Sequence, residues 1–422
     1  MRLHRREFLK YACALGSTAA IGGCATTPGR AAGRVVVVGG GYGGATAAKY
    51  MKLWAPDIEV TLVERDAQFV SCPLSNLVIG GNAQMSDITL GYEGLSKRGI
   101  RVIRDEVTAI DGGKREVRLA AGATLSYDRL IVSPGVDVNY ASIPGLQTHD
   151  AQSRVLHAWK AGPQTLALRK QLESMRDGGV FVIHIPRAPL RCPPGPYERA
   201  CQVADYFKRA KPRSKIIVLD TNEDIISKKP LFLAAWNGMY KGMIDYRPNS
   251  ELTDVDAKTL TAKLQFEDVQ ADVLNVVPPQ HAGDIARQAG LAATHGWCEI
   301  DWLTYESKLV PAVHVLGDAL LAAPAMPKSA TMANQHAKVC AAAVIAKIKG
   351  IAINDAPMLI NTCYSFVDSR NVMHVASVHH YDTAQKTMLP VKGAGGLSER
   401  ASELETPFAW GWARNIWADT LT

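Results

Sequence analysis

The sequence predicts an α/β chain: two dinucleotide-binding, Rossmann-like units and a small C-terminal α+β domain. Three observations carry this. Residues 35–38 are an unbroken β-branched run, which reads as a strand buried on both faces, and Gly39, Gly41 and Gly44 follow as G-x-G-x-x-G. A second strand–helix–strand pattern occupies residues 180–219. Much later, residues 313–316 form an apolar strand ending in Gly317-Asp318, and the spacing predicts one long helix over residues 327–349.

In the first unit, helix formers over 45–53 continue from the glycine turn, and residues 59–63 form the next strand. Each glycine answers a need. The first makes the tight turn, the second lets the backbone approach a pyrophosphate, and the third lets the helix pack against the strand. The pyrophosphate rests on a helix N-terminus, where free N–H groups favour negative charge. Glu64, about twenty residues on, can accept from ribose hydroxyls. An acid there favours FAD or NAD over NADP. Residues 127–135 are a strand entering a tight turn at Gly135.

The chain of 422 residues is 47% apolar, enough for two or three domains, with a formal charge of +7. Four of those net charges lie in the first 32 residues, which predicts a mature protein near +3 and argues against nucleic-acid binding. Arg5-Arg6-Glu7-Phe8-Leu9-Lys10 and the short Gly/Ala-rich run after it resemble a twin-arginine export signal, which predicts a periplasmic protein with cleavage near Ala31-Ala32-Gly33. Ile21-Gly22-Gly23-Cys24 competes as a lipoprotein box, with lipid anchorage at Cys24. No later run is apolar for long enough to span a membrane.

The second unit departs from the first. Its turn, residues 186–196, has five prolines and no G-x-G-x-x-G, so several backbone donors are missing and a nicotinamide pyrophosphate has nothing to rest on. Cys192 lies in this turn. Residues 102–107 and 116–119 alternate like exposed strands, and 269–277 reads as one apolar strand. The N-terminus of the 327–349 helix, with Lys328, predicts positive potential just after the Gly317-Asp318 turn. The tail holds Cys363 and an aromatic cluster of Trp410, Trp412 and Trp417. Cys201, Cys298 and Cys340 read as structural. The histidines, including His379-His380, read as surface or loop residues, and no metal site is expected. Periodicity alone cannot bring Cys192 and Cys363 together.

The stretches GRVVVVGGGYGGATAAKY, SCPLSNLVIGG, HAWKAGPQT, RCPPGPYERA, VHVLGDA, AMPKSA and NTCYSF together resemble the flavin-binding subunit of flavocytochrome c sulfide dehydrogenases, a family of the two-dinucleotide-domain disulfide-reductase type. The resemblance covers almost the whole length. It implies FAD as cofactor, joined covalently through Cys72, with Pro73 directly after it as a departure from the family pattern. It implies a redox-active Cys192–Cys363 disulfide, with Glu198 managing protons nearby; the competing reading of Glu198 is a carboxylate favoured by the helix dipole. The implied FAD contacts are Gly39, Gly41, Gly44, Glu64, Gly135, Asp318 and Lys328. The implied organisation is an export signal at 1–32, an FAD-binding domain at 33–155 and 300–350, a second Rossmann-like domain at 156–299, and a flavin-covering, partner-contacting domain at 351–422.

The implied activity is oxidation of sulfide or polysulfide, with electrons passing to a c-type cytochrome subunit, since this chain has no C-x-x-C-H haem-attachment motif. Other readings are a sulfide:quinone oxidoreductase, an NADH-dependent disulfide reductase, and a non-catalytic flavin redox partner of sulfur-carrier proteins.

Overall fold

The computed structural model describes residues 31–422; the twin-arginine segment and Cys24 lie outside them. The β-branched run forms β1 (Arg34–Val38), buried from Val35 onward. Next come α1 (Tyr42–Trp54) and β2 (Glu59–Glu64), which pairs parallel with β1. After the Cys72 loop and α2 (Ser75–Gly80), β3 (Arg101–Arg104) adds to β2. Then β4 (Arg129–Val132) adds to β1 on the other side.

The chain then leaves this sheet. Following α3 (Pro163–Ser174), it builds β5 (Val180–Ile185), α4 (Gly195–Ala210), β6 (Lys215–Asp220), α5 (Lys229–Asn237), β7 (Ile244–Arg247) and β8 (Val273–Val276). Their sheet is parallel with order β7-β6-β5-β8. The return comes at β9 (Val313–Val315), which pairs with β4 and completes the first sheet as β9-β4-β1-β2-β3. The helix α6 (Ala330–Lys349) packs on α1. The tail is an antiparallel sheet of β10 (Met358–Phe366), β11 (Val372–Asp382) and β12 (Thr387–Leu397), closed by α7 (Thr406–Leu421). The fold class expected from the sequence is the one observed.

Four local readings are corrected. Residues 102–107 are not one strand: β3 stops at Arg104, and Val107–Asp111 starts a separate small antiparallel sheet. Residues 269–277 are likewise split by Ala271-Asp272, because the Asp272 carboxylate accepts from the Val180 amide (2.8 Å) and anchors the start of β8 beside β5. The long helix begins at Ala330 rather than 327, where Ser329 Oγ accepts from the Met332 amide (3.0 Å) as its N-cap. The histidines are not all peripheral. His184, His314, His336 and His379 are buried, and burial pushes the pKa of the first two to about 4 and of His336 to about 3. They act in the core as neutral rings; His314 Nδ1, for instance, pairs with the Thr304 carbonyl (2.8 Å).

The tail is tied to the first sheet through α1. Trp417 is buried, and its Nε1 donates to Tyr42 OH (3.0 Å), which shares a 2.6 Å hydrogen bond with Ser71 Oγ beside Cys72. Trp410 and Trp412 are half-buried against Phe366 and Tyr364. Asp419 gathers Tyr50 OH (2.6 Å), Asn334 Nδ2 (2.8 Å) and Lys338 Nζ (2.8 Å), and these donors hold its carboxyl below the usual range against the opposing effect of burial. Replacing this carboxylate leaves three donors unmatched. Asp419→Ala is expected to lower unfolding free energy by about 2 kcal/mol in urea titrations at neutral pH. Because the folded pKa is depressed, this difference is full above the ordinary carboxylate value. It shrinks as pH falls through the folded one.

Candidate functional site

The first turn has the shape of a phosphate cradle. Gly39 is left-handed (φ 93°), and a Cβ there would lie 2.4 Å from the Ser133 carbonyl oxygen. A Cβ on Gly44 would lie 1.9 Å from the Gly39 oxygen. Gly41 is different: a Cβ there would meet nothing within 4 Å, so its face is open for a ligand's close approach. Glu64 stands beside the turn, its Oε2 accepting from the Gly40 amide (2.5 Å) and its Oε1 from Asp66 (2.9 Å). Gly135, left-handed at φ 66°, follows the Ser133 turn that abuts Gly39, and its carbonyl accepts from Gly283 (3.0 Å). The Gly317-Asp318 turn reaches the same place, because β9 pairs with β4. These residues fit a dinucleotide.

The sulfur site lies where the second unit's phosphate turn would be. Cys192 precedes α4 and is left-handed (φ 57°), a strained backbone for a residue with a Cβ. Its amide donates to the Lys328 carbonyl (2.9 Å), and Gly195 leaves room for its Sγ, since a Cβ on Gly195 would lie 3.0 Å from that sulfur. Cys363 arrives on β10. Glu198, in the first turn of α4, joins the two segments. Its Oε1 accepts from the Phe366 amide (2.8 Å) and its Oε2 from Asn76 Nδ2 (2.9 Å).

Burial dominates the electrostatics. It pushes both thiols up, and a negative charge on Cys363 or Glu198 pushes Cys192 further in the same direction. Burial also raises Glu198, against the pull of the Phe366 amide and Asn76. The carboxylate therefore holds a proton more readily than a surface glutamate, although it occupies a helix first turn.

The expected disulfide is not closed in the structure. All six cysteines from Cys72 to Cys363 are free thiols, and Cys363 Sγ instead lies 3.6 Å from Asn361 Oδ1 as donor. Cys72 is half-buried on the far side of Arg191, and its sulfur accepts from the Ala161 amide (3.5 Å). The Lys328 ammonium turns back onto the Gly317-Asp318 turn: it donates to the carbonyls of Asp318 (2.9 Å) and Leu320 and lies 3.7 Å from the centre of the Trp297 ring. Burial lowers its pKa to about 8. The donors that α6 presents at this point are the leading amides of the helix itself.

Three cations escaped the sequence reading. Arg191 faces the sulfurs of Cys72 and Cys192 and the carboxylate of Asp318; burial opposes its charge, but these groups raise its pKa overall. Arg199 is fully buried, its Nε on Asn76 Oδ1 (3.1 Å), Nη1 on the His157 carbonyl (2.9 Å) and Nη2 on the Ala158 carbonyl (2.7 Å). Lys228, left-handed (φ 55°) and buried, donates to the Cys363 carbonyl (2.7 Å) and to Ser365 Oγ (2.8 Å). Arg191 was legible as the neighbour of Cys192. No pattern in Ser227-Lys228-Lys229-Pro230 marks Lys228.

Comparison with known proteins agrees with this architecture. Residues 165–278 match the central region of the sulfide dehydrogenase (flavocytochrome c) flavoprotein chain, and residues 355–421 match the flavin-binding region of flavocytochrome c sulphide dehydrogenase. Residues 33–171 match the pyridine nucleotide-disulphide oxidoreductases. The chain is 62% identical over 45 residues to the sulfide dehydrogenase (flavocytochrome c) flavoprotein chain of Chlorobaculum thiosulfatiphilum, covering 11% of this chain and 94% of that sequence. The chain belongs to the flavocytochrome c sulfide dehydrogenase flavoprotein family.

More distant relatives share the fold. The mitochondrial sulfide:quinone oxidoreductase of Mus musculus is 24% identical over 302 residues, 67% of this chain and 65% of that one. The chain likewise spans 65% of the length of the Dictyostelium discoideum enzyme. The sulfide:quinone oxidoreductase structure from Aquifex aeolicus superposes with a TM-score of 0.75 at 16% identity, over 92% of this chain and 91% of that one. The family is one of flavoproteins, and the open glycine turn has the shape to take a dinucleotide. Among the described residues, no helix is long and apolar enough to cross a membrane, and no three His, Cys, Asp or Glu side chains gather as a metal site.

The two glycines separate folding from cofactor binding. Gly44→Ala is expected to yield little folded protein, because its Cβ collides with the Gly39 backbone. Gly41→Ala should fold with an unchanged melting temperature, yet retain several-fold less flavin by absorbance. Equal flavin content in wild type and Gly41→Ala would place the cofactor elsewhere.

Proposed function

We propose that this chain oxidises sulfide or polysulfide through Cys192 and Cys363 and passes the electrons to a c-type cytochrome. The observation that carries the reading is the convergence of these two cysteines, far apart in sequence, on one buried carboxylate beside a dinucleotide cradle. The family supports it, and so does the 62% identical relative, a sulfide dehydrogenase (flavocytochrome c) flavoprotein chain. In the resting protein the two sulfurs form a disulfide. Hydrosulfide attacks one of them, a new S–S bond forms, the Cys–Cys bond breaks, and its electron pair stays on the other sulfur as thiolate. Glu198, held by the Phe366 amide and Asn76, takes or returns a proton beside the thiols. Gly39, Gly41, Gly44, Glu64, Gly135 and Asp318 hold FAD, which supplies a two-electron acceptor able to release electrons singly. Lys328 braces the Gly317-Asp318 turn.

The proline-filled turn that carries Cys192 offers no pyrophosphate cradle, so nicotinamide nucleotides are not the electron source. Cys72, at the glycine-turn side of the site, is the attachment point of FAD. Arg191 and the Ala161 amide steady its sulfur. The hydrogen-bonded series from Ser71 through Tyr42 to Trp417 leads from this loop to the tail, and the cytochrome docks against the tail. The twin-arginine segment puts the protein in the periplasm. The fold shared with sulfide:quinone oxidoreductases supports a quinone as the second choice of acceptor; reduction of a c-type cytochrome, with no quinone turnover in liposomes, decides between them.

Two experiments test the assignment. Peptide mapping of the resting protein is expected to find Cys192 bonded to Cys363, and Cys192→Ser and Cys363→Ser should each retain flavin but lose at least about a hundredfold in the rate of anaerobic flavin bleaching by sulfide. Wild-type bleaching in either variant would mean that other groups do the chemistry. Independently, flavin should precipitate with the wild-type polypeptide in acid and remain in solution with Cys72→Ser.

A further inference from the structure

One buried cation near the thiols has no part in the chemistry so far. Lys228 lies between β6 and α5, in a left-handed backbone conformation that a lysine rarely adopts, and is almost fully buried. Its ammonium donates to three acceptors on the tail: the Cys363 carbonyl (2.7 Å), Ser365 Oγ (2.8 Å) and the Met373 carbonyl (3.4 Å). None of these is charged. A structural tie between two segments needs only a neutral donor, and burying an ammonium against neutral acceptors is costly. The ionisable groups facing it are Cys363, Glu198, Cys192 and Glu405, the last also bonded to His374 Nδ1 (2.8 Å), so a negative charge formed among them has this ammonium opposite it. Burial lowers the Lys228 pKa to about 8 and these groups raise it, so the side chain is charged at neutral pH.

We propose that Lys228 is a positioning residue for the cysteine pair: it fixes the strand that carries Cys363 and supplies the positive charge against which a Cys363 thiolate is released. This rests on the redox reading of Cys192 and Cys363. It assigns direction to the opening step. Hydrosulfide bonds to Cys192 Sγ, the Cys192–Cys363 bond breaks, and the electron pair remains on Cys363, whose pKa Lys228 lowers against the larger effect of burial. Cys192 has Arg191 as its main cationic neighbour, ahead of Lys228. A neutral disulfide gains nothing from the ammonium, whereas a thiolate does, so Lys228 favours the opened form and makes the bridge a stronger oxidant.

The test uses the full-length flavinated protein, reduced with a phosphine and alkylated with iodoacetamide from neutral to alkaline pH, with each cysteine followed by peptide mass spectrometry. Lys228→Met is expected to slow Cys363 alkylation at pH 7 about tenfold, a one-unit rise in its pKa, and to leave the Cys192 profile nearly in place. Lys228→Arg, which keeps the charge, should restore most of the effect. Lys228→Gln keeps a donor for the tail without the charge and should behave as Lys228→Met, which covers the case that Lys228→Met folds poorly. A lower melting temperature with an unchanged Cys363 profile in the neutral variants would reduce Lys228 to a structural tie and overturn the proposal. So would a shift confined to Cys192. If instead the oxidised wild type forms no Cys192–Cys363 bridge, the redox reading itself fails, and the peptide map shows this before any Lys228 variant is compared.

Discussion

The site depends on one strand being held across one turn. β10, which carries Cys363, is clamped to the second unit by the Phe366 amide on Glu198 of α4 and by the Cys363 carbonyl on Lys228 between β6 and α5. Both clamps pair a backbone group with a buried charged side chain. Such bonds are stronger than neutral ones, and their geometry is narrower. The strand is also paired with β11 along its whole length, so it approaches as part of a stiff sheet rather than as a loose tail. A strand fixed in this way can hold two sulfurs in register without help from local sequence.

Burial then decides the chemistry. Removing the thiols from water raises both pKa values, which alone would make a poor sulfur nucleophile or leaving group. The neighbourhood answers with Arg191, Arg199 and Lys228, set against Glu198. Arg199 is tied to carbonyls and amide oxygens on every side and so serves as a fixed positive wall more than as a moving part. Glu198 is satisfied by two donors, yet burial still leaves it readier than a surface carboxylate to hold a proton. Charge and countercharge are packed together in the buried interior, which strengthens each interaction.

Much of this was legible in the chain. The β-branched run and its three glycines foretold β1, the turn and α1, because each glycine answers a backbone constraint that sequence displays directly. The five prolines marked the second turn as short of backbone donors, and the structure places Cys192 at that turn. Strand limits were less legible. Residues 102–107 and 269–277 each alternate or run apolar across a point where the chain changes sheets, and periodicity is blind to which sheet a residue joins. The meeting of Cys192 with Cys363 was available only through family resemblance, since no local pattern encodes a contact so distant in sequence. Lys228 was invisible for the same reason: its role comes from tertiary partners and it lies in no patterned segment. Asn76 lies in the SCPLSNLVIGG stretch, but its bond to Glu198 is likewise tertiary.

The contrast between the two strand–turn–helix units shows what the fold contributes and what the turn contributes. Both place a helix N-terminus at the end of a parallel strand, the position where such folds bind ligands. In the first, glycine opens space at Gly41 and leaves amides free. In the second, prolines remove donors, and one of the remaining amides, that of Cys192, is taken by the Lys328 carbonyl. The same crevice position thus offers fewer free amides and carries the Cys192 thiol. Because Lys328 also braces the Gly317-Asp318 turn of the first unit, the thiol-bearing turn is bonded directly to the segment that serves the cradle. The two turns are thus joined through one residue, its carbonyl to the Cys192 amide and its ammonium to the Asp318 carbonyl, so a shift in either would be felt in the other.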